Sequence, residues 1–263
     1  SAPPAATTFT SRIAKAGAAA DATAPSPVER NELVSIAERY QKVAAEVAEA
    51  AVAAGRAPED VLLVAVSKTV GPEGVAEAIE GGARNFGENR PDQIVPKSAA
   101  FPEARWHFIG NIQSRRIPEI VASATLIHSL YQLRHAEKID HAAAELSKVQ
   151  DVLIEVNVSG EASKSGVDPV EAADLVRAVA ALPHVSVRGL MTMAPAGDAQ
   201  AAREAFAGLA ELAARIRAQL PADDAAAFTE LSMGMSDDWR EAVPLGATIV
   251  RVGRAIFSES YQE

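Results

Sequence analysis

Cysteine is absent from the 263 residues, which excludes disulfides and every metal site built on thiolates. Positive charge is also in deficit. Lys and Arg number 25 against 35 Asp and Glu, a formal charge of −10. Phosphate backbones demand clustered cations, so nucleic acid is disfavoured as a partner, and Arg115-Arg116 is too short a cluster to change that. No window approaches an apolar membrane span, and the amino terminus lacks the charged-then-hydrophobic order of a secretory signal. A cytoplasmic location with no membrane partner is therefore expected. Tyrosine is scarce, with only Tyr40, Tyr131 and Tyr261, and this bears on catalysis below.

What is abundant is apolar surface. At 48% hydrophobic the chain can bury one sizeable core, and this length is routine for a single barrel domain. Residues 1–26 are rich in Ala, Thr, Ser and Pro and carry too little bulky apolar surface to offset the entropy of ordering, so a disordered tail is expected there and the folded domain over 27–263. Ser26-Pro-Val-Glu29 reads as a helix start with a capping box, and Leu33, Ile36, Tyr40, Val43 and Val47 form a stripe able to pack on the domain.

Short apolar runs then alternate with longer amphipathic ones. The spacing predicts strands over 61–67, 83–86, 105–109, 125–129, 151–158, 185–192, 228–233 and 248–252. Helical periodicity fills the gaps, most clearly at Phe206, Leu209, Ala213, Ile216 and Leu220. Eight βα units in this length predict an α/β fold, a single (β/α)8 TIM barrel with an extra amino-terminal helix.

Several strands end in residues that an apolar core would not choose: Lys68, Asn85, Gly110, Ser129, Asn157, Thr192, Ser232, and Arg251 with Gly253. In a barrel the carboxyl ends share one mouth, where the active sites of this fold sit. Lys68 follows the run Val61-Leu-Leu-Val-Ala-Val66, and burial there would favour a free amine able to form a Schiff base with a carbonyl. Pyridoxal 5'-phosphate (PLP) is the cofactor most often held that way. A strand-end lysine paired with a carboxylate is the plainer alternative. Ser232-Met-Gly-Met-Ser236 and Arg251-Val-Gly-Arg-Ala255 each run from a strand into a helical stretch. Loops in these positions are the usual phosphate site of the barrel, although two ordinary tight turns would look the same.

Other constellations carry less. Glu155 and Glu230 might face the barrel interior, but both precede the strand ends and are expected as hydrogen-bonded or arginine-paired interior groups. His107 and His128 lie in strands and are expected as satisfied core residues. His135 and His141 do not share a helix face, so no metal site is expected.

A family resemblance rests on ordered motifs across roughly residues 30–258. They are Val64-Ala-Val-Ser-Lys-Thr69, Asn85-Phe-Gly-Glu-Asn89, Trp106-His-Phe-Ile-Gly110 with Gln113-Ser114, Ser163-Lys-Ser-Gly166, Arg188-Gly-Leu-Met191, Leu231-Ser-Met-Gly-Met-Ser-Asp237, and Val250-Arg-Val-Gly253 with Ile256-Phe257. The chain resembles the YggS-like PLP homeostasis proteins, also called proline synthetase co-transcribed homologues, whose barrel is similar to the amino-terminal domain of alanine racemases. The resemblance implies a PLP carrier or reservoir that influences amino-acid and keto-acid balance. It implies a Schiff base on Lys68 and a phosphate cup of Ser232, Gly253 and the amide of Arg254, with Met233 and Gly234 as neighbouring backbone. Arg251 is implied at the pyridine nitrogen or the phosphate, and Asn85 beside the ring. PLP-dependent apoenzymes are the implied partners, and a monomer the expected state.

Val70 stands where a second lysine is common in that family, which puts a lysine-to-lysine relay in doubt, and Lys164 is a candidate accessory contact. The alternative is a PLP-dependent racemase of the alanine racemase type. Such an enzyme needs a second base, usually a tyrosine contributed with an additional β-domain, whereas this chain stops just past the expected barrel and none of its three tyrosines lies in a motif that would place it at the mouth. A cofactor-free Schiff-base aldolase is a third class, and a yellow colour of the purified protein would count against it.

Overall fold

The structure, a computed structural model, describes residues 34–160 and 165–261. The expected tail over 1–26, the helix start at Ser26 and the Lys164 contact lie outside those residues. Within them the first helix, α1 (Ile36–Ala53), begins where Ser35 and Glu38 form a reciprocal capping box: Glu38 N–H donates to Ser35 Oγ at 3.1 Å and Ser35 N–H to Glu38 Oε2 at 2.9 Å. Its stripe of Val43, Val47 and Ala51 is buried. The helix is pinned to the rest of the domain by Ile36 N–H to Glu77 Oε1 (2.7 Å) and by Arg39 Nε to the carbonyl of Ile256 (2.7 Å).

Eight parallel strands follow: β1 (Leu62–Val66), β2 (Asn85–Glu88), β3 (Arg105–Phe108), β4 (Leu126–Leu130), β5 (Gln150–Glu155), β6 (Val185–Met191), β7 (Glu230–Met235) and β8 (Ile249–Val252). They pair in chain order, and β8 pairs back onto β1, closing the barrel. Helices connect them: α2 (Pro72–Glu80), α3 (Pro91–Ala100), α4 (Ile117–Ser123), α5 (Leu133–Glu145), α6 (Ala172–Ala180), α7 (Ala199–Arg217), α8 (Ala222–Ala227) and α9 (Trp239–Ala242), with α10 (Arg254–Phe257) after β8. All eight expected strands are present with boundaries shifted by a few residues, and the expected stripe of Phe206, Leu209, Ala213 and Ile216 is the buried face of α7.

Strand alternation divides the apolar residues into two cores. Leu63, Ala65, Phe86, Trp106, Ile127, Ile154, Leu190, Met233 and Val250 face the helices and join the large outer core. Val64, Leu126, Leu153, Met191 and Ile249 face inward and form a small second core inside the barrel. The remaining inner space is polar, with His107, His128, Glu155, Ser232 and Arg251 all buried.

Gly234 has a structural task in this frame. Its φ of +93° lies in the left-handed region, and a Cβ there would stand 2.8 Å from Trp239 Cα and 2.9 Å from Ala242 Cβ, so the residue lets β7 fold back tightly onto α9. Gly234→Ala should cost about 2 kcal/mol or more of unfolding free energy through strain and clash. Urea unfolding followed by circular dichroism checks this, and an unchanged midpoint would contradict it.

Candidate functional site

The carboxyl-terminal mouth holds a cavity of about 770 Å³ lined by Lys68, Asn89, Met193, Ser236, Arg251, Gly253 and Arg254, among others. This is within the size range of cofactor sites. β1 stops at Val66, and Lys68 extends from the turn after it. That turn is anchored from beneath. Ser67, fully buried, donates its hydroxyl to Glu88 Oε1 at 2.7 Å, and its carbonyl accepts from Lys97 Nζ at 3.0 Å, while Lys97 and Glu88 make a buried ion pair at 2.6 Å. Sequence reasoning missed this pair, because Lys97 lies on α3 and its approach to the end of β2 has no local signature. Lys68 itself is exposed within the mouth. The expected burial among apolar groups is corrected: the lysine is exposed and reaches into the cavity from a clamped turn.

Beside that turn, the loops after β7 and β8 are tied together by Ser236 Oγ, which accepts from Gly253 N–H at 3.2 Å. Asp238 Oδ1 closes the first loop by accepting from Met235 N–H at 2.5 Å. The Gly253 backbone passes so close to β1 that a Cβ would stand 3.2 Å from the Val66 carbonyl. Arg254 lines the cavity while pairing with Asp237 and lying over the Tyr261 ring. Tyr261 donates its hydroxyl to the carbonyl of Ser236 at 2.9 Å, so this tyrosine does reach the rim, contrary to the sequence expectation.

The expected site residues divide accordingly. Lys68, Arg251, Gly253 and Arg254 are brought together at the mouth. Ser232, Met233 and Gly234 are not among the cavity's lining. Ser232 is buried lower in β7, Met233 points outward into the helix-facing core, and Gly234 packs on α9. The serine of that motif that lines the cavity is Ser236, four residues on from Ser232. Asn85 opens β2 and therefore lies at the opposite, amino-terminal mouth, as does Glu230, which opens β7. Both line a second cavity of about 410 Å³ there. The asparagine at the cofactor-sized cavity is Asn89, from the far end of the same motif.

Arg251 is buried beneath the cavity floor yet lines it. Its Nη1 donates to Ser232 Oγ at 2.6 Å and its Nη2 to the carbonyl of Thr192 at 3.0 Å, which uses two of the five donors of a guanidinium. Burial lowers its pKa to about 10, against the opposing pull of the Asp238 and Glu155 carboxylates. Burial also raises the Glu155 carboxyl to about 7, with Arg251 opposing. A buried cation with donors to spare, an amine on the same cavity and a hydroxyl at the tied loops together suit a ligand with an aldehyde, a ring acceptor and an anionic tail. Among the described residues no group of three His, Asp or Glu side chains could hold a metal ion, and no helix is long and apolar enough to cross a membrane.

The closed parallel barrel with a lysine at its mouth agrees with the alanine racemase amino-terminal domain, whose family model matches residues 40–260. A pyridoxal phosphate homeostasis protein of Pseudomonas aeruginosa is 42% identical over 85% of this chain and 95% of its own length. The chain belongs to the pyridoxal phosphate homeostasis protein family. PipY of Synechococcus elongatus, solved with PLP bound, is 34% identical and superposes with a TM-score of 0.75 over 85% of this chain and all of its own. The alanine racemase of Corynebacterium glutamicum shares the fold at 17% identity and a TM-score of 0.65, covering 84% of this chain and 60% of that enzyme.

The raised Glu155 pKa sets a pH dependence. A folded-state value near 7 against an ordinary 4.5 means the folded protein binds more protons through that window, so stability should fall as pH rises from 4.5 to about 7, by up to roughly 3 kcal/mol. Urea midpoints at pH 5 and pH 8 should differ less in Glu155→Gln than in the parent, and equal differences would refute the assignment.

Proposed function

We propose that this protein binds PLP at the carboxyl-terminal mouth and serves cytoplasmic PLP homeostasis as a monomeric carrier or reservoir that supplies apoenzymes and so influences amino-acid and keto-acid balance. The observation that carries the proposal is the convergence of Lys68, Ser236, Arg251 and Gly253 on one cavity of about 770 Å³. Lys68 Nζ is the group that would hold the aldehyde as a Schiff base. Ser236 Oγ and the backbone at Gly253 and Arg254 would hold the phosphate, with the Arg254 guanidinium adding positive charge at the cup. Arg251 would meet the ring nitrogen.

PLP, when bound, supplies an electron sink whose strength depends on a proton at that nitrogen. A buried guanidinium can only donate, so Arg251 opposes such a proton and favours holding the cofactor over driving carbanion chemistry. Tyr261, the tyrosine at the rim, engages its hydroxyl with the Ser236 carbonyl and with Asp237 at 3.2 Å, a role in fixing the cup.

Borohydride reduction of the PLP-loaded protein, followed by peptide mass spectrometry, should place the label on Lys68, and Lys68→Ala should lose it. A label elsewhere, or one retained in the variant, would refute the assignment. Ser236→Ala should raise the PLP dissociation constant about tenfold, the scale of one hydrogen bond to a charged group, in a protein that remains folded. Equilibrium dialysis giving the parent value would remove Ser236 from the cup.

A further inference from the structure

Beneath Arg251 the barrel interior contains a continuous file of polar side chains. Ser232 Oγ lies 2.6 Å from Arg251 Nη1 and 2.8 Å from His128 Nδ1. His128 Nε2 is 2.9 Å from His107 Nδ1, and His107 Nε2 is 3.2 Å from Asn85 Oδ1. The file runs from the cofactor-sized cavity to the cavity at the opposite mouth, which His107 and Asn85 line. Neither imidazole nor Ser232 lines the cofactor-sized cavity.

We propose that Ser232, His128 and His107 are positioning residues that hold the Arg251 guanidinium at the cofactor through a hydrogen-bonded chain of fixed direction anchored on Asn85, with both imidazoles locked as Nε2–H tautomers. The direction follows from the two ends. Arg251 can only donate, so Ser232 Oγ accepts from it, and the Ser232 proton then needs an acceptor. His128 Nδ1 is the acceptor within reach, in a site where Ser232 and His128 have no exposure to water. An Nδ1 that accepts leaves the proton of a neutral imidazole on Nε2, which donates to His107 Nδ1. The same reasoning places the His107 proton on Nε2, donating to Asn85 Oδ1.

The opposite direction would have both imidazoles donate through Nδ1 and would leave the buried Ser232 proton without an acceptor among its recorded neighbours, a cost of about 1–3 kcal/mol. Neutrality of both rings is supported by their surroundings. Burial is the largest effect on each, holding His107 near 4 and His128 well below its ordinary value, and the nearby Arg105 and Arg251 cations act in the same sense. With Thr192 bracing Nη2, the guanidinium cannot turn away from the cavity without breaking this chain.

The role toward PLP rests on the function proposed above, but the chain itself is testable without cofactor. Long-range ¹H–¹⁵N spectra of the full-length, PLP-free protein should show His107 and His128 as Nε2–H tautomers that do not titrate between pH 5.5 and 8. An Nδ1–H tautomer at either residue, or protonation of either in that range, would overturn the chain.

In PLP-loaded protein, His128→Phe should weaken PLP binding about tenfold and shift the visible absorption band. His128→Gln, whose amide both accepts and donates, should stay within about threefold of the parent. Equal impairment of Phe and Gln variants, or none in either, would overturn the positioning role. Ser232→Ala removes one hydroxyl and should reproduce the band shift if the Phe variant does not fold, and an unshifted band would count against the proposal. Parent protein that is not labelled at Lys68 after borohydride reduction would instead indict the PLP assignment and leave the tautomer result standing.

Discussion

The pairing of β8 with β1 is the constraint on which the mouth depends. Its register sets Val64 opposite Arg251 and Ala65 opposite Val252, so the turn carrying Lys68 and the turn carrying Gly253 leave the barrel side by side. The two segments come from opposite ends of the domain sequence, and the hydrogen bonds of the closing pair fix their distance. The contact of Gly253 with the Val66 backbone and the bond from Ser236 to Gly253 extend that closure upward into the loops. Lys68 and the loops of the last two βα units line one cavity because the sheet is closed.

The polar part of the interior costs hydration. A barrel this size could be filled by aliphatic side chains, as Val64, Leu126, Leu153, Met191 and Ile249 fill part of it. The rest contains an arginine, a carboxyl group and two imidazoles, each of which loses hydration on burial. The directions of the shifts record that loss: Arg251 and both histidines are lowered, and Glu155 is raised. Hydrogen bonding offsets it by passing from residue to residue, while the buried Glu88–Lys97 pair under the Lys68 turn does the same outside the barrel. Replacing buried polar groups by apolar ones is often stability-neutral or better, so polar groups arranged between two cavities fit a site being held in shape.

Much of the architecture was legible in the order of residues. Apolar runs at the spacing of βα units marked all eight strands, and Lys68, Arg251, Gly253 and Arg254 were each assigned to the mouth they occupy. The errors share one cause. Period-2 alternation and strand polarity mean that a boundary shift of two or three residues moves a side chain from one end of a strand to the other, or from inside to outside. The sequence puts Asn85 near the end of a strand over 83–86, whereas it is the first residue of β2 (Asn85–Glu88) and lies at the far mouth. The sequence puts Ser232 near the end of a strand that in fact runs on to Met235, so the serine of that motif lining the cavity is Ser236.

The amino-acid sequence by itself determined what depends on local periodicity and residue chemistry: the alternation that builds a closed parallel barrel, the absence of thiolate chemistry, and a lysine at the exit of the first strand. Tertiary structure alone decided which polar residues meet. Strand register and chain closure, acting between segments far apart in sequence, paired Ser236 with Gly253 and Glu88 with Lys97, and aligned Asn85, His107, His128, Ser232 and Arg251 across the barrel. No local spacing encodes such contacts, because they follow from how five different strands are staggered around one ring.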